Sequence, residues 1–152
     1  MIDKFTILKS TLTAFFAALA AFLGWRTVMV LIWLVLMCLD YLSGSLAARS
    51  RGEWKSAAAR AGIFHKAGMV LVVLVSMAAD FVMVLFAANI PGELLISWPV
   101  VIFPAVTVWY ILTEIGSIIE NAISMGARVP NWLPKLLNAT VSALDSSLTP
   151  QD

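Results

Sequence analysis

The sequence predicts an all-α integral membrane protein with four transmembrane helices, or three as the alternative, followed by a C-terminal amphipathic helix. Of its 152 residues, 61% are hydrophobic and 12% are charged, whereas soluble domains average about half apolar and a quarter charged. The mean hydropathy is +0.94. A helix that crosses a hydrocarbon core needs about 20 apolar residues, and the chain has four candidate runs, at residues 10–25, 27–48, 67–89 and 98–122. We therefore expect a single membrane domain over residues 1–152.

The first run decides between four spans and three. A helix over residues 10–25 is about 24 Å long at 1.5 Å per residue, which is short for a crossing of about 30 Å. It can cross where the bilayer is thinned, or it can lie along the membrane surface. The sequence leaves both placements open.

The second and third runs each carry one carboxylate on a face with small residues. Helical spacing places Asp40, Gly44 and Ala48 on one side of the second run. It places Gly68 and Asp80 on one side of the third run. Small residues let another helix approach closely, so we expect close packing at Gly44, Ala48 and Gly68. A central aspartate costs about 3 kcal/mol on insertion, but the many Val, Leu and Phe side chains around Asp80 offset that cost.

The fourth run carries a polar stripe. Its members recur alternately three and four residues apart, which gathers them on one side of a helix over residues 98–126: Thr107, Tyr110, Glu114, Ser117, Asn121 and Ser124. Glu120 is expected near the water boundary, and Pro104 is expected to kink the helix because it lacks a backbone donor. Such a stripe on an apolar helix predicts contact with other protein or with water inside the membrane.

A cationic connection fixes the predicted orientation. Residues 49–66 contain one acid and five bases, Arg49, Arg51, Lys55, Arg60 and Lys66, which indicates a cytoplasmic loop. With four spans, nine of the ten Lys and Arg residues lie inside and only Arg26 lies outside. With three spans the split weakens to seven against three. We therefore predict four spans with both termini in the cytoplasm.

The tail at residues 131–148 is expected to form an amphipathic helix. Its apolar residues recur at helical spacing: Leu133, Leu136, Leu137, Val141, Leu144 and Leu148. A helix of this kind is expected to lie on the membrane or on a partner instead of spanning the bilayer.

The sequence carries no catalytic or cofactor motif. It has one His and one Cys, and it lacks HExxH, GxSxG and Walker sequences. We therefore predict a protein that is not an enzyme and that uses no cofactor or metal. The net charge of +1 gives no reason to expect a nucleic-acid partner.

The polar residues at membrane depth are the remaining candidate site. We predict that they form an oligomer or lumen face, composed of Asp40, Asp80, Tyr110, Glu114, Ser117, Glu120 and Asn121. Intramembrane acids usually face a bundle interior or a water path. Three uses remain open: a fixed ion or proton path, faces that bind neighbouring copies and line water after assembly, or hydrogen bonds that hold one monomer together.

Four motifs in order resemble the phage holin and toxin-secretion holin family. They are LDYLSG at residues 39–44, GIFHK at residues 62–66, Asp80 inside the next span, and E-x-x-S-I-I-E-N-x-x-x-x-G-x-x-V-P from Glu114 to Pro130. The resemblance covers about residues 31–136. The tail departs from the family pattern, because it carries Asp145 and Asp152 and lacks a strongly basic end.

The resemblance implies a small protein that self-associates in the bacterial cytoplasmic membrane and opens lesions at a threshold. Those lesions would release a cell-wall hydrolase or a toxin. The implied partners are the lipid bilayer, further copies of the chain, a regulatory antiholin, and an endolysin or toxin as cargo. The alternatives are a small proton-coupled transporter or channel and an antiholin that does not permeabilise the membrane.

Overall fold

A computed structural model of the chain is all-helical over the residues it describes, 3–89 and 100–148. Five helices follow in order: α1 (Lys4–Leu23), α2 (Arg26–Ser50), α3 (Ser56–Asn89), α4 (Ile102–Ser124) and α5 (Trp132–Leu148). Three of them, α2, α3 and α4, are long and apolar enough to cross a membrane. The protein is therefore an all-helical membrane-spanning protein. A fourth span, by α1, stays a prediction.

Helix α4 holds the membrane unit together. It packs most extensively against α2 and next against α3, whereas α2 and α3 touch each other little. The core between the three helices consists of Trp33, Met37, Met69, Val73 and Phe103. Large apolar side chains cover the outside of α2 and α3, as lipid contact requires.

The polar stripe of α4 faces the inside of this unit. Thr107 and Glu114 are 0% and 2% exposed, whereas Val108 on the same helix is 36% exposed. The Thr107 hydroxyl donates a hydrogen bond of 2.7 Å to the carbonyl of Phe103, so it needs no partner on another helix. The predicted single-sided stripe thus marks the face that α4 turns toward α2 and α3.

The start of α4 differs from the prediction. The helix begins at Ile102, four residues after the predicted start at Trp98, which lies among residues 90–99 outside the described part of the chain. Pro104 therefore belongs to the first helical turn and causes no kink there. The predicted kink was wrong because a proline in the first turn removes no hydrogen bond from the helical ladder.

Asp80 of α3 caps α4. Its two carboxylate oxygens accept hydrogen bonds from the backbone N–H groups of Ile102 at 3.2 Å and Phe103 at 2.8 Å. Pro104 has no N–H, and the N–H of Ala105 donates to the carbonyl of Val101 at 3.0 Å. The donors that a helix normally leaves unpaired in its first turn are thus satisfied. A negative charge at this end also complements the helix dipole.

The basic connection is shorter than predicted. Helix α2 continues to Ser50 and α3 already begins at Ser56, so only residues 51–55 form the loop. The apolar run predicted a start near residue 67, but residues 56–62 are rich in alanine, which favours helix without a long apolar run. Lys66 consequently lies in the third turn of α3 and does not belong to a loop.

The tail forms α5, which packs against α4. Four of the apolar residues in the predicted stripe are partly buried, namely Leu133, Leu137, Val141 and Leu144. Leu136 is 56% exposed, and the side chain of Leu148 lies outside the described set. The helix thus buries one side and leaves Trp132 and Leu136 uncovered.

We predict that the cap at Asp80 stabilises the fold measurably. Asp80→Ala should lower the free energy of unfolding by about 1–2 kcal/mol, because it leaves the N–H groups of Ile102 and Phe103 without their acceptor. Asp80→Asn keeps one acceptor oxygen and should show a smaller loss. Reversible unfolding in detergent micelles measures both values, and an Asp80→Ala variant as stable as the parent would contradict this role.

Candidate functional site

Three charged residues from three helices lie at one level of the membrane unit. Asp40 precedes the end of α2 at Ser50 by ten residues, and Glu114 precedes the end of α4 at Ser124 by ten residues. Lys66 follows the start of α3 by ten residues. At 1.5 Å per residue, each is about 15 Å from the same end of the unit. The antiparallel order of the helices therefore brings the three side chains together.

The ammonium group of Lys66 binds both carboxylates. Its Nζ is 2.7 Å from each oxygen of Glu114 and 2.9 Å from Oδ2 of Asp40. The side chains of Lys66, Asp40 and Glu114 are 15%, 20% and 3% exposed. We call these three residues the ionic cluster. It joins α2, α3 and α4, two of which otherwise make little contact.

Asn121 extends the cluster by one polar layer. Its Nδ2 donates to Oδ1 of Asp40 at 3.2 Å and to the hydroxyl of Ser43 at 3.1 Å. A Cβ atom added to Gly44 would lie 3.4 Å from that same Nδ2. Gly44 therefore lets the Asn121 side chain reach α2. Within this chain, the neighbour of Gly44 is thus Asn121 of α4, and close packing of Gly44 against another copy stays a prediction.

The other predicted packing positions behave differently from Gly44. Ala48 is partly buried and lines a cleft next to the cluster. A Cβ atom added to Gly68 would meet nothing within 4 Å. Within the described part of the chain Gly68 therefore has no close neighbour, because α3 turns this residue outward, and close packing at Gly68 stays a prediction.

The geometry explains how the chain tolerates charges at this depth. An isolated charge in a low-dielectric interior costs several kcal/mol, and it persists when a partner and hydrogen bonds compensate it. Lys66 supplies that compensation for two acids on two helices. The cluster therefore finds its partners within one chain, and this structure does not require a second copy to pair Asp40 or Glu114.

A cleft of about 370 Å³ opens beside the cluster. Its walls come from α2, the beginning of α3 and the end of α4, and they include Ser45, Gly62, Ser117 and Glu120. Glu120 is exposed and Ser117 is half-buried. These two predicted site residues therefore border water-accessible space next to the cluster.

Two further predicted site residues lie away from the cluster. Asp80 is fourteen residues beyond Lys66 on α3, about 21 Å along the helix, where it caps α4. Tyr110 stacks on Trp33 with ring centroids 5.9 Å apart, so it belongs to the aromatic packing of the core. The residues of the predicted face therefore lie in four different places. Asp40 and Glu114 belong to the ionic cluster with Asn121 beside it, Ser117 and Glu120 line the cleft, Tyr110 packs in the core, and Asp80 caps α4.

The structure places Lys66 in the ionic cluster and not in the basic loop that the sequence predicts. The other predicted loop members, Arg49, Arg51, Lys55 and Arg60, are exposed. The sequence does contain a signal, because Lys66 directly precedes the apolar run at residues 67–89 and the spans on either side of that run carry Asp40 and Glu114. Helix α3 begins earlier than the apolar run predicts, and this early start places Lys66 level with Asp40 and Glu114.

The ionic cluster is suited to charge pairing. Within residues 3–89 and 100–148, no group of three or more His, Cys, Asp or Glu side chains is arranged to hold a metal ion. A lysine between two carboxylates occupies the position that a cation would take. Its role is therefore to hold three helices in register.

We predict that the cluster is stabilising only as a complete set. Lys66→Met should lower the free energy of unfolding by about 3–5 kcal/mol, because it leaves two carboxylates close together without a base. The triple variant Lys66→Met/Asp40→Asn/Glu114→Gln should recover much of that loss. Glu53→Gln breaks only the exposed pair with Arg51 and should change the value by less than about 1 kcal/mol.

Unfolding in detergent micelles measures all three variants. If the triple variant is less stable than Lys66→Met alone, charge pairing is not what the cluster contributes.

Comparison with known proteins agrees with this architecture. The chain matches the bacteriophage holin family over residues 17–141. It is 33% identical over 132 residues to an uncharacterised protein of Halalkalibacterium halodurans, covering 87% of this chain and 92% of that protein. Uncharacterised proteins of Listeria innocua and Listeria monocytogenes are each 29% identical over 131 residues, with 86% of this chain and 84% of theirs covered. No solved structure matches. The resemblance seen in the sequence motifs is confirmed, and the chain belongs to the bacteriophage holin family.

Proposed function

We propose that this chain permeabilises the bacterial cytoplasmic membrane by assembling with further copies, and that it releases a cell-wall hydrolase or a toxin. The observation that carries the proposal is a small membrane unit of the holin family whose polar face is turned inward and held by the ionic cluster. Such a unit can reside in lipid without exposing charge. It also keeps a polar face that a later assembly can use.

Passage of a protein through this unit requires many copies. The space between α2, α3 and α4 is filled by Trp33 and Phe103, which are 2% and 1% exposed. A single chain therefore encloses no lumen at its core. A lesion wide enough for a folded enzyme needs a ring of chains that share their polar faces around water.

In the proposed opening, the carboxylates of the ionic cluster exchange their contact with Lys66 for contact with water. In the closed unit, the carboxylates of Asp40 and Glu114 bind Lys66. In an assembled lesion, the same groups would face water, where opposite charges attract each other only weakly. Exposure of these groups to lipid is the costly state. Opening is therefore favourable only when enough copies meet to surround water.

The proposed orientation places the basic loop in the cytoplasm. With Lys66 assigned to the cluster, nine of the ten basic residues remain for the charge comparison. Four spans put eight of them inside and one outside, whereas three spans put six inside and three outside. The four-span arrangement with both termini in the cytoplasm remains the preferred proposal.

The test is induced expression in a bacterium that carries cytoplasmic reporters of graded size together with a cell-wall hydrolase. We predict an abrupt loss of membrane potential, followed by release of folded reporter protein in the presence of the hydrolase. Chain accumulation is measured in the same samples. Leakage of small ions only, at any level of accumulation, would contradict the wide-lesion proposal.

The same experiment separates the alternatives. A proton-coupled transporter should give saturable, substrate-specific flux in viable cells. An antiholin should release nothing when expressed alone, and it should delay lysis when expressed together with a permeabilising relative.

A further inference from the structure

The cleft lies beside the polar end of the apolar stretch of α3, where lipid headgroups are expected. The largely apolar stretch of α3 at residues 67–88 contains 22 residues, so it is about 33 Å long and matches the hydrocarbon core. Lys66 therefore marks the edge of that core. The cleft is lined by Lys55, Ala59 and Gly62, which precede Lys66 on the chain and lie beyond the edge.

The wall formed by α4 carries two hydrogen-bond acceptors, on Glu120 and Asn121, beside the hydroxyl of Ser117, which can donate or accept. Both hydrogen bonds made by Asn121 leave from its Nδ2, so its Oδ1 remains available as an acceptor. Glu120, one residue earlier, makes no hydrogen bond or ion pair with any residue in the described part of the chain. By contrast, Glu53 at the cleft is paired with Arg51. The free acceptors are therefore concentrated at the end of α4.

The charge around the cleft is negative by one unit. Asp40 and Glu114 share the single positive charge of Lys66, so the ionic cluster retains one negative charge. Glu120 adds one negative charge, and Lys55 on the opposite wall adds one positive charge. A ligand that complements this wall carries a positive charge and donates hydrogen bonds.

The opposite wall provides space and a separate cation. Ala58, Ala59 and Gly62 line it with small side chains, and Lys55 makes no ion pair with any residue that the structure describes. The ring of Trp54 borders the cleft, 43% exposed. One end of the ligand should therefore be a cation near α4, and the other should be an anion near Lys55.

We propose that this cleft binds the phosphoethanolamine headgroup of a membrane phospholipid. The ammonium group donates hydrogen bonds to Glu120 and to Oδ1 of Asn121, and the phosphate binds Lys55. The two charges of this headgroup are separated by two carbons, which fits a cleft of about 370 Å³ with oppositely charged walls. The proposal concerns lipid recognition and does not depend on the proposed lytic activity.

The experiment uses the full chain in lipid nanodiscs of defined composition. Phosphatidylethanolamine is compared with phosphatidylcholine, whose ammonium has no N–H, and with phosphatidylglycerol, which has no cation. We expect phosphatidylethanolamine to be retained selectively by the protein in native mass spectrometry and to raise its unfolding temperature. Equal retention of the ethanolamine and choline lipids would overturn the proposal.

Matched variants locate the site. Glu120→Gln should weaken binding of phosphatidylethanolamine by about tenfold or more, because it removes a charge-assisted hydrogen bond. Lys55→Gln should weaken binding of both zwitterionic lipids. Asp145→Asn removes a carboxylate from α5 and should leave binding unchanged. Unchanged binding in Glu120→Gln, or an equal loss in Asp145→Asn, would refute this location.

Competition by a water-soluble compound tests whether the site binds the headgroup as part of a lipid or as a free molecule. Free phosphoethanolamine added to the nanodiscs should compete only at concentrations far above those of the lipid, because it lacks the acyl chains that the neighbouring bilayer holds. Binding of the free compound as tightly as the lipid would contradict a lipid site.

Discussion

The structure depends on one lysine that serves two carboxylates. Lys66 lies at the edge of the apolar part of α3 and reaches Glu114 at 2.7 Å and Asp40 at 2.9 Å. Without it, α4 and α2 would each bring a lone carboxylate into a region of low dielectric constant. Because α2 and α3 touch little elsewhere, this cluster is also their main connection at this level. Charge pairing therefore decides how the three helices meet.

A second polar contact fixes the other end of the unit. Asp80 holds the beginning of α4 through two backbone N–H groups, about 21 Å along α3 from Lys66. Between the two polar levels lies an apolar core of aromatic, methionine and valine side chains. Helix α4 is thus attached at both levels and packed along its length. This arrangement lets a polar helix face lie inside a small membrane protein.

Sequence reasoning could predict the membrane class, the family and the single polar face of α4, because these follow from hydropathy, motif order and helical periodicity. It assigned that face to an oligomer contact or a lumen, whereas in this chain the face turns toward α2 and α3. It could not predict that α3 begins at Ser56, since the alanine-rich segment before Lys66 has no long apolar run. The pairing of Lys66 depended on that start. The role of Asp80 was hidden for another reason, because its partners are backbone groups that only the folded chain brings near.

The proposed activity requires contacts within one chain to open. Gly44 and Asn121 test this most directly, because a Cβ atom at Gly44 would lie 3.9 Å from Cγ of Asn121, so thiols placed at the two positions lie next to each other. In a Cys38→Ser background, oxidised Gly44→Cys/Asn121→Cys protein should run as a cross-linked monomer and fail to release the reporter, and reduction should restore release. Release with the intrachain cross-link intact, or a cross-link that forms only between chains, would contradict the account.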